Sequence, residues 1–383
     1  MDLFTLDPLN RRQYVIDQYQ SLIWTERWQA YGDFQLNIQS TYGARSILKP
    51  DTWLALDRSD YVMRIESVED DDNSDGSRNL IVKGRDISSL FDDRFVPRYS
   101  YTTMTPGDTA RNMFHQVCVS GTWDAGDIIT GITEGTFMPA STILEPADPI
   151  TIDFSDPTAT LFDGMVTQIL TKYDLGFRIL RKDSTGGLYF DVYAGSDRTT
   201  DQTTLTPVVF SVQLGNLQNT KELTDISKAK NVAYVKKDTG AYQIVYGTGV
   251  DPTTAGFERR VMQVDASSLT GGTTDQFTAA GLEALAGART SFLFDGEVSQ
   301  QSQYVYGRDY NLGDLVEQQN IDGIVTNMRV TEQIFSSDNT GEKHYPTLVA
   351  NETINAGSWL AWNNNKAWFD LDSDTTDVWG NQP

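Results

Sequence analysis

Two histidines, His115 and His344, and one cysteine, Cys118, are the residues of this chain best suited to proton transfer or nucleophilic attack near neutral pH. A hydrolytic centre needs a nucleophile, a base and a group that orients the base, all within hydrogen-bond reach. His115 and Cys118 stand three residues apart, in a stretch whose Ala110, Met113, Phe114 and Val117 fall on one helical face, so the two side chains could meet. The same spacing fits ordinary packing, with Cys118 as a small buried hydrophobe, and that is the reading adopted. His344 follows a loop beside Tyr345-Pro346, and neither histidine is assigned a catalytic role.

Paired carboxylates would serve a glycosidase, but 53 acidic residues supply pairs at every spacing, and an acid catalyst needs a carboxyl whose pKa a cleft has raised. Two acidic loops have part of a calcium-loop pattern. Asp71, Asn73, Asp75 and Gly76 match its opening, but the twelfth position is Val82 instead of a bidentate Glu. In the second, Asp370, Asp372 and Asp374 are followed by Thr375 where the turn glycine belongs and Asn381 where Glu belongs. Both read as solvated loops. Gly186-Gly187 and Gly271-Gly272 read as turns, since no phosphate-cradling pattern surrounds them. No catalytic residue, cofactor site or metal site is therefore expected. Trp359, Trp362, Trp368 and Trp379 lie in a polar, Asn/Asp-rich C-terminal stretch. They are candidate partner contacts, with packing back onto the chain's own second β domain as the equal alternative.

The elements that must position these residues are mostly strands. In Asp33-Phe34-Gln35-Leu36-Asn37-Ile38 the apolar side chains alternate, as a half-buried strand requires. Similar runs occur at Leu54 to Leu56, Tyr61 to Val68 and Leu80 to Val82, and the stretch from Asp70 to Ser77 reads as a hairpin loop. The period then changes. One helix follows Thr105-Pro106-Gly107-Asp108, and a second lies between Pro157 and Asp174, with Leu161, Met165, Ile169 and Leu170 on one face and Gly176 where it would stop. Paired strands flank the turn at 183–187. From Leu223 strands return, at Asn231 to Lys236, Tyr242 to Tyr246, Glu258 to Val264, Gly296 to Tyr306, Leu315 to Gln318 and Ile324 to Ile334, with a helix near Ala279 to Ser291. The fold class is mainly β with an α+β insert: a first β domain over 1–104, the insert over 105–222, a second β domain over 223–349 and the Trp-rich tail over 350–383.

Composition narrows the function classes. The formal charge of −23, from 30 Lys and Arg against 53 Asp and Glu, disfavours nucleic-acid reading, which needs clustered cations. A single cysteine excludes an internal disulfide and a cysteine-based metal cluster. The N-terminus lacks a signal-peptide pattern, and the absence of about 18 uninterrupted apolar residues argues against a spanning helix and a membrane anchor, so a soluble protein is expected.

Several segments, in order, resemble the tail-associated hub proteins (minor tail proteins) of actinobacterial siphophages. They are Tyr19-Gln20-Ser21-Leu22-Ile23-Trp24, Glu26-Arg27-Trp28, Tyr31 to Ile38, Arg64-Ile65-Glu66-Ser67-Val68, Val82 to Leu90 with Asp93-Arg94, Tyr306 to Val316, and Met328-Arg329-Val330-Thr331-Glu332. The resemblance spans roughly residues 10 to 350 and brings no catalytic motif. It implies two β-barrel-like domains of the phage tail hub type with helices between them, and a homotrimeric ring whose six quasi-equivalent domains match a six-fold tube. It also implies a place at the distal end of the tail, with a distal tail protein, the tape measure protein and tail fibres or receptor-binding proteins as partners. DNA would pass through the ring without sequence-specific contacts, along a wall expected to be acidic. Some related hubs carry long C-terminal extensions bearing fibres or cell-wall hydrolases; this chain stops soon after the second β domain, so neither a lytic nor a fibre role is expected. The alternatives are a tail-associated carbohydrate-binding module or glycosidase acting on the host envelope, and a β-rich binding protein unrelated to phage.

Overall fold

The computed structural model describes residues 1–350 apart from 73–77, 97–98, 155–158, 248–249, 254, 268–270, 287, 289–290, 300–301, 322 and 324. Trp359, Trp362, Trp368 and Trp379 lie outside the described residues, as do Asn73, Asp75, Gly76 and the second acidic loop. The chain divides into two units, residues 219–296 forming one and the stretches on either side of them the other.

The first unit opens with β1 (Leu3–Leu6), β2 (Arg12–Ile16), β3 (Tyr19–Arg27), β4 (Asp33–Gln39), α1 (Tyr42–Ile47), β5 (Trp53–Leu56), β6 (Val62–Asp72) and β7 (Arg78–Asp86). Alternation dictates the packing: Leu22 and Trp24 on β3 oppose Leu36 and Phe34 on β4, and all four are buried. The α+β insert follows, with β8 (Tyr99–Met104), α2 (Pro106–Phe114), β9 (Ile132–Glu134), β10 (Ile150–Phe154), a helix of wide turns at Asp163–Leu170, β11 (Gly176–Lys182) and β12 (Gly187–Tyr193). Thr105 caps α2 by accepting a bond from the Asp108 amide at 3.2 Å, and Pro106 begins the helix, three residues before the stretch expected after Asp108. After β13 (Val209–Ser211) the chain passes through the second unit and returns as β19 (Leu315–Gln319), β20 (Val325–Asp338) and β21 (Gly341–Ala350), the intervening strands being given below.

These late strands complete the sheet begun at the N-terminus. β20 pairs antiparallel with β3, from Glu332 opposite Arg27 to Ser337 opposite Leu22. The result is one eleven-stranded sheet of order β13-β19-β20-β3-β4-β7-β6-β5-β1-β2, with β21 also on β20. The expected domain boundaries therefore shift. Residues 315–350 belong with the first β strands instead of forming, with 223–296, a separate domain over 223–349. Nor does a core boundary fall at 104: Leu6, Val62 and Phe91 share one apolar cluster with Met113, Phe114, Phe177 and Phe190 of the insert. Alternation marks a strand but does not name its partner, which is why the sequence pattern missed this.

The second unit, taken by itself, contains β14 (Leu217–Asp225), β15 (Val232–Lys236), β16 (Tyr242–Tyr246), β17 (Val261–Asp265), α3 (Thr274–Ala286) and β18 (Ser291–Val298). β15 lies between antiparallel β16 and parallel β17, and Ala233, Val235 and Val245 cluster with Phe277 and Leu285 of α3. This helix starts and ends about five residues before the expected stretch, Ala279 to Ser291. The reason is a reciprocal cap: Thr273 Oγ accepts from the Gln276 amide at 3.3 Å, while Gln276 Oε1 accepts from the Thr273 amide at 2.8 Å. The strand expected over Gly296 to Tyr306 instead runs Ser291–Val298.

Trp28, at the end of β3, locks insert and sheet together. The Arg329 guanidinium of β20 lies 4.5 Å from its ring centroid, donates to the carbonyls of Gly313 at 2.6 Å and Ala194 at 3.1 Å, and pairs with Asp174. Gly176 is not a helix stop, as the sequence suggests; Asp174, with φ 55°, takes the left-handed turn instead. A Cβ on Gly176 would come within 1.8 Å of Trp28 Nε1, so the glycine admits the indole. Gly176→Ala is expected to cost about 2 kcal/mol or more, read as a lower urea midpoint; an unchanged midpoint would show that Trp28 is free to move aside.

Candidate functional site

The face of β3 that carries Leu22 and Trp24 into the core carries Glu26 two residues later, and Glu26 is 0% exposed. An acid at a core-facing position of an alternating strand needs partners. Trp24 Nε1 donates to its carboxyl at 3.3 Å, the Tyr306 hydroxyl at 2.8 Å, and the Ser59 hydroxyl completes the set. All three donors are neutral. Burial therefore dominates and raises the Glu26 pKa to about 7, the three hydrogen bonds pulling down against it and Asp60 adding to the rise. Asp86, another buried acid, is raised by burial to about 6 in spite of bonds from Ser88 and Gly32.

Glu26 borders a cleft of about 70 Å³ where three segments converge: the turn bearing Arg58, Ser59 and Asp60, the insert strands bearing Arg178 and Tyr193, and the return segment bearing Tyr306 and Asn311. The volume suits a few water molecules. Arg178 is committed to Asp191 at 2.7 Å and lies 4.0 Å from the Tyr193 ring centroid. A glycosidase acid must present its proton to a sugar, with a second carboxyl across the bond. Here both Glu26 oxygens are held by donors, and Tyr61 and Tyr193 are buried instead of forming an exposed platform. The arrangement is a buried polar network that ties chain segments together.

The opposite face of the large sheet is open and charged. A groove of about 530 Å³ crosses β3, β4, β6 and β7 beside Asp33, Glu66, Lys83 and Arg85. Its arginines are clamped: Arg27 lies 2.6 Å from Asp33 and 2.7 Å from Glu332, and Arg85 lies 3.0 Å from both Glu66 and Asp92. Burial pushes the Glu66 carboxyl up, but Arg85 and Arg64 outweigh it and hold it below its usual value. On this face Arg27 and Arg85 are each neutralised by two carboxylates.

The profile of the siphovirus ReqiPepy6 Gp37-like protein family matches residues 2–348. The chain belongs to this family. The family is one of siphovirus proteins. Solved structures share the chain's fold. A tail protein from Neisseria meningitidis MC58 has a TM-score of 0.58 at 16% identity, over 91% of this chain and 96% of that one. The 43 kDa tail protein of prophage MuSo2 from Shewanella oneidensis has a TM-score of 0.58 at 13% identity, over 91% and 97%. Prophage tail protein gp18 from Listeria monocytogenes EGD-e has 0.52 at 12% identity, over 92% and 96%. No curated protein matches the chain.

In this chain the residues singled out for chemistry stay apart. His115 is exposed, with Nδ1 2.8 Å from Glu134, while Cys118 points into the core, where burial pushes its thiol up to about 12. His344 sits on β21 opposite Phe335, and burial together with Arg58 lowers its pKa. At the first acidic loop, Asp70 pairs with Arg45 and Arg78, each at 3.1 Å. Among the described residues no group of three or more His, Cys, Asp or Glu is placed to hold a metal ion. Glu26 was the missed residue, although an acid continuing the Leu22, Trp24 alternation was a visible signal.

Since burial raises the folded pKa of Glu26 above the ordinary glutamate value of 4.5, its contribution to stability is complete below about pH 4.5 and is lost as pH rises through about 7. Glu26→Gln is expected to match the native chain near pH 4 and to exceed it by about 3 kcal/mol near pH 8, measured from urea midpoints. Parallel pH profiles for the two proteins would refute this assignment.

Proposed function

We propose that this tail protein is the hub of the tail tip, a non-enzymatic subunit that closes the tail tube and joins it to the host-recognition apparatus. The observation that carries the reading is the continuous eleven-stranded sheet with its charge-clamped open face. Three copies form a ring in which that face lines the channel. A polyanion is retained by free cations through counterion release, so a wall whose arginines are already paired, on a chain of net charge −23, lets DNA pass during ejection. The distal tail protein and the tape measure protein meet the ring on the tube side. Fibres or receptor-binding proteins attach on the other, with Trp359, Trp362, Trp368 and Trp379 assigned to partner contact on their residue type.

Family membership and the shared tail-protein fold support this reading, and the occupied oxygens of Glu26 give glycan hydrolysis no support. Electron microscopy of the purified protein, alone and mixed with the other tail components, is expected to reveal a three-fold ring with a central channel in at least the mixture. Persistent monomers in both samples would overturn the proposal.

A further inference from the structure

We infer that the sheet face of the second unit turned away from α3 binds a neutral oligosaccharide, stacking sugar rings on Tyr242 and Tyr234 and bonding their hydroxyls through Gln263 and Asp265. Alternation decides which side chains stand there. Ala233 and Val235 of β15, Val245 of β16, and Met262 and Val264 of β17 pack with Phe277 of α3, so their neighbours along each strand face the other way. Register sets those neighbours in rows. Tyr242, Lys236 and Asp265 form one, Ile244, Tyr234 and Gln263 the next, and Tyr246 and Val261 flank Val232 in the third. Tyr242 is 52% exposed, Ile244 44% and Val261 39%, and a hollow of about 350 Å³ opens beside Tyr234, Tyr242, Val261, Met262 and Gln263. Sites for small ligands have volumes of this order.

Size, charge and ring support together select a neutral sugar over other occupants. Three strands of five residues, with the usual strand spacing and rise, make a face of roughly 250 Å², whereas a stable protein partner takes about 800 Å² a side. A short saccharide fits within it. Between residues 219 and 296 eight Lys and Arg stand against nine Asp and Glu, while the whole chain has 30 against 53, so this unit carries almost none of the acidic excess. The ions of the face are already engaged: Lys236 lies 3.5 Å from Asp265, and Arg259, 5.7 Å from the Tyr246 ring centroid, has the Tyr234 and Tyr246 hydroxyls as partners. An anionic ligand would have to displace these partners, and a neutral one need not. The exposed ring is also held in place, because Gln263 Nε2 reaches across β15 to donate to the Tyr242 hydroxyl at 3.2 Å. A tyrosine fixed by its hydroxyl presents the electron-rich face of its ring to the C–H side of a sugar at little entropic cost. The Gln263 carbonyl and the Asp265 carboxylate then serve as acceptors for the sugar hydroxyls.

This site does not rest on the ring, so its failure would leave the hub reading as it stands. Calorimetric titration of the full chain with neutral tetrasaccharides of glucose, galactose, mannose and N-acetylglucosamine tests it, with tetragalacturonate as the charged control. At least one neutral member is expected to bind with a Kd of about 1 mM or tighter. Tyr242→Ala should weaken that binding about tenfold or more, and Gln263→Ala should weaken it as well. Both side chains are exposed, so both variants should keep the native urea midpoint. If Tyr242→Ala fails to fold, Gln263→Ala alone carries the test. The inference is lost if no neutral member binds at about 10 mM, if the folded variants bind as tightly as the native chain, or if tetragalacturonate binds better than every neutral member.

Discussion

The antiparallel pairing of β20 with β3 is the constraint on which the rest of the first unit depends. It brings together residues as distant as Arg27 and Glu332, 305 positions apart. Closing so long a loop adds only a modest entropic penalty over a shorter one, because that penalty grows logarithmically with length. The pairing must nevertheless await both ends of the chain. Once formed, it places Arg329 against Trp28, Gln333 against Glu26 and Glu332 against Arg27, so three separate networks hang on one register.

Those networks do different physical work. The Trp28–Arg329 contact is a packing lock, in which glycines 176 and 313 admit an indole and a buried guanidinium finds carbonyls to satisfy it. The Glu26 network is polar and sits where an apolar residue would pack at lower desolvation cost; such groups are weak sources of stability but can fix one arrangement over others. On the open face the Arg27 and Arg85 clamps are solvent-facing, so their contribution lies in neutralising charge across a surface more than in holding the fold.

A protein built this way separates its mechanical and surface tasks. One core of sheet and insert, centred on Phe91, Phe114, Phe177 and Phe190, supplies rigidity; Phe114 and Phe190 stack with centroids 3.6 Å apart. The open face can then carry charge without weakening that core, since alternate residues of a strand point to opposite sides.

Local pattern by itself determined much of this protein. β4, α2, the helix at Asp163–Leu170 and the hairpin of β11 and β12 were legible because alternation and helical period are short-range properties of the chain. The order of segments from Tyr19 to Glu332 was enough to point to a siphophage protein family. Tertiary structure alone decided which strands pair, that 219–296 form their own unit, that Gly176 makes room for an indole, and that Glu26 is buried among neutral donors. Each of these depends on neighbours far away in sequence, and a strand's period carries no record of its partner.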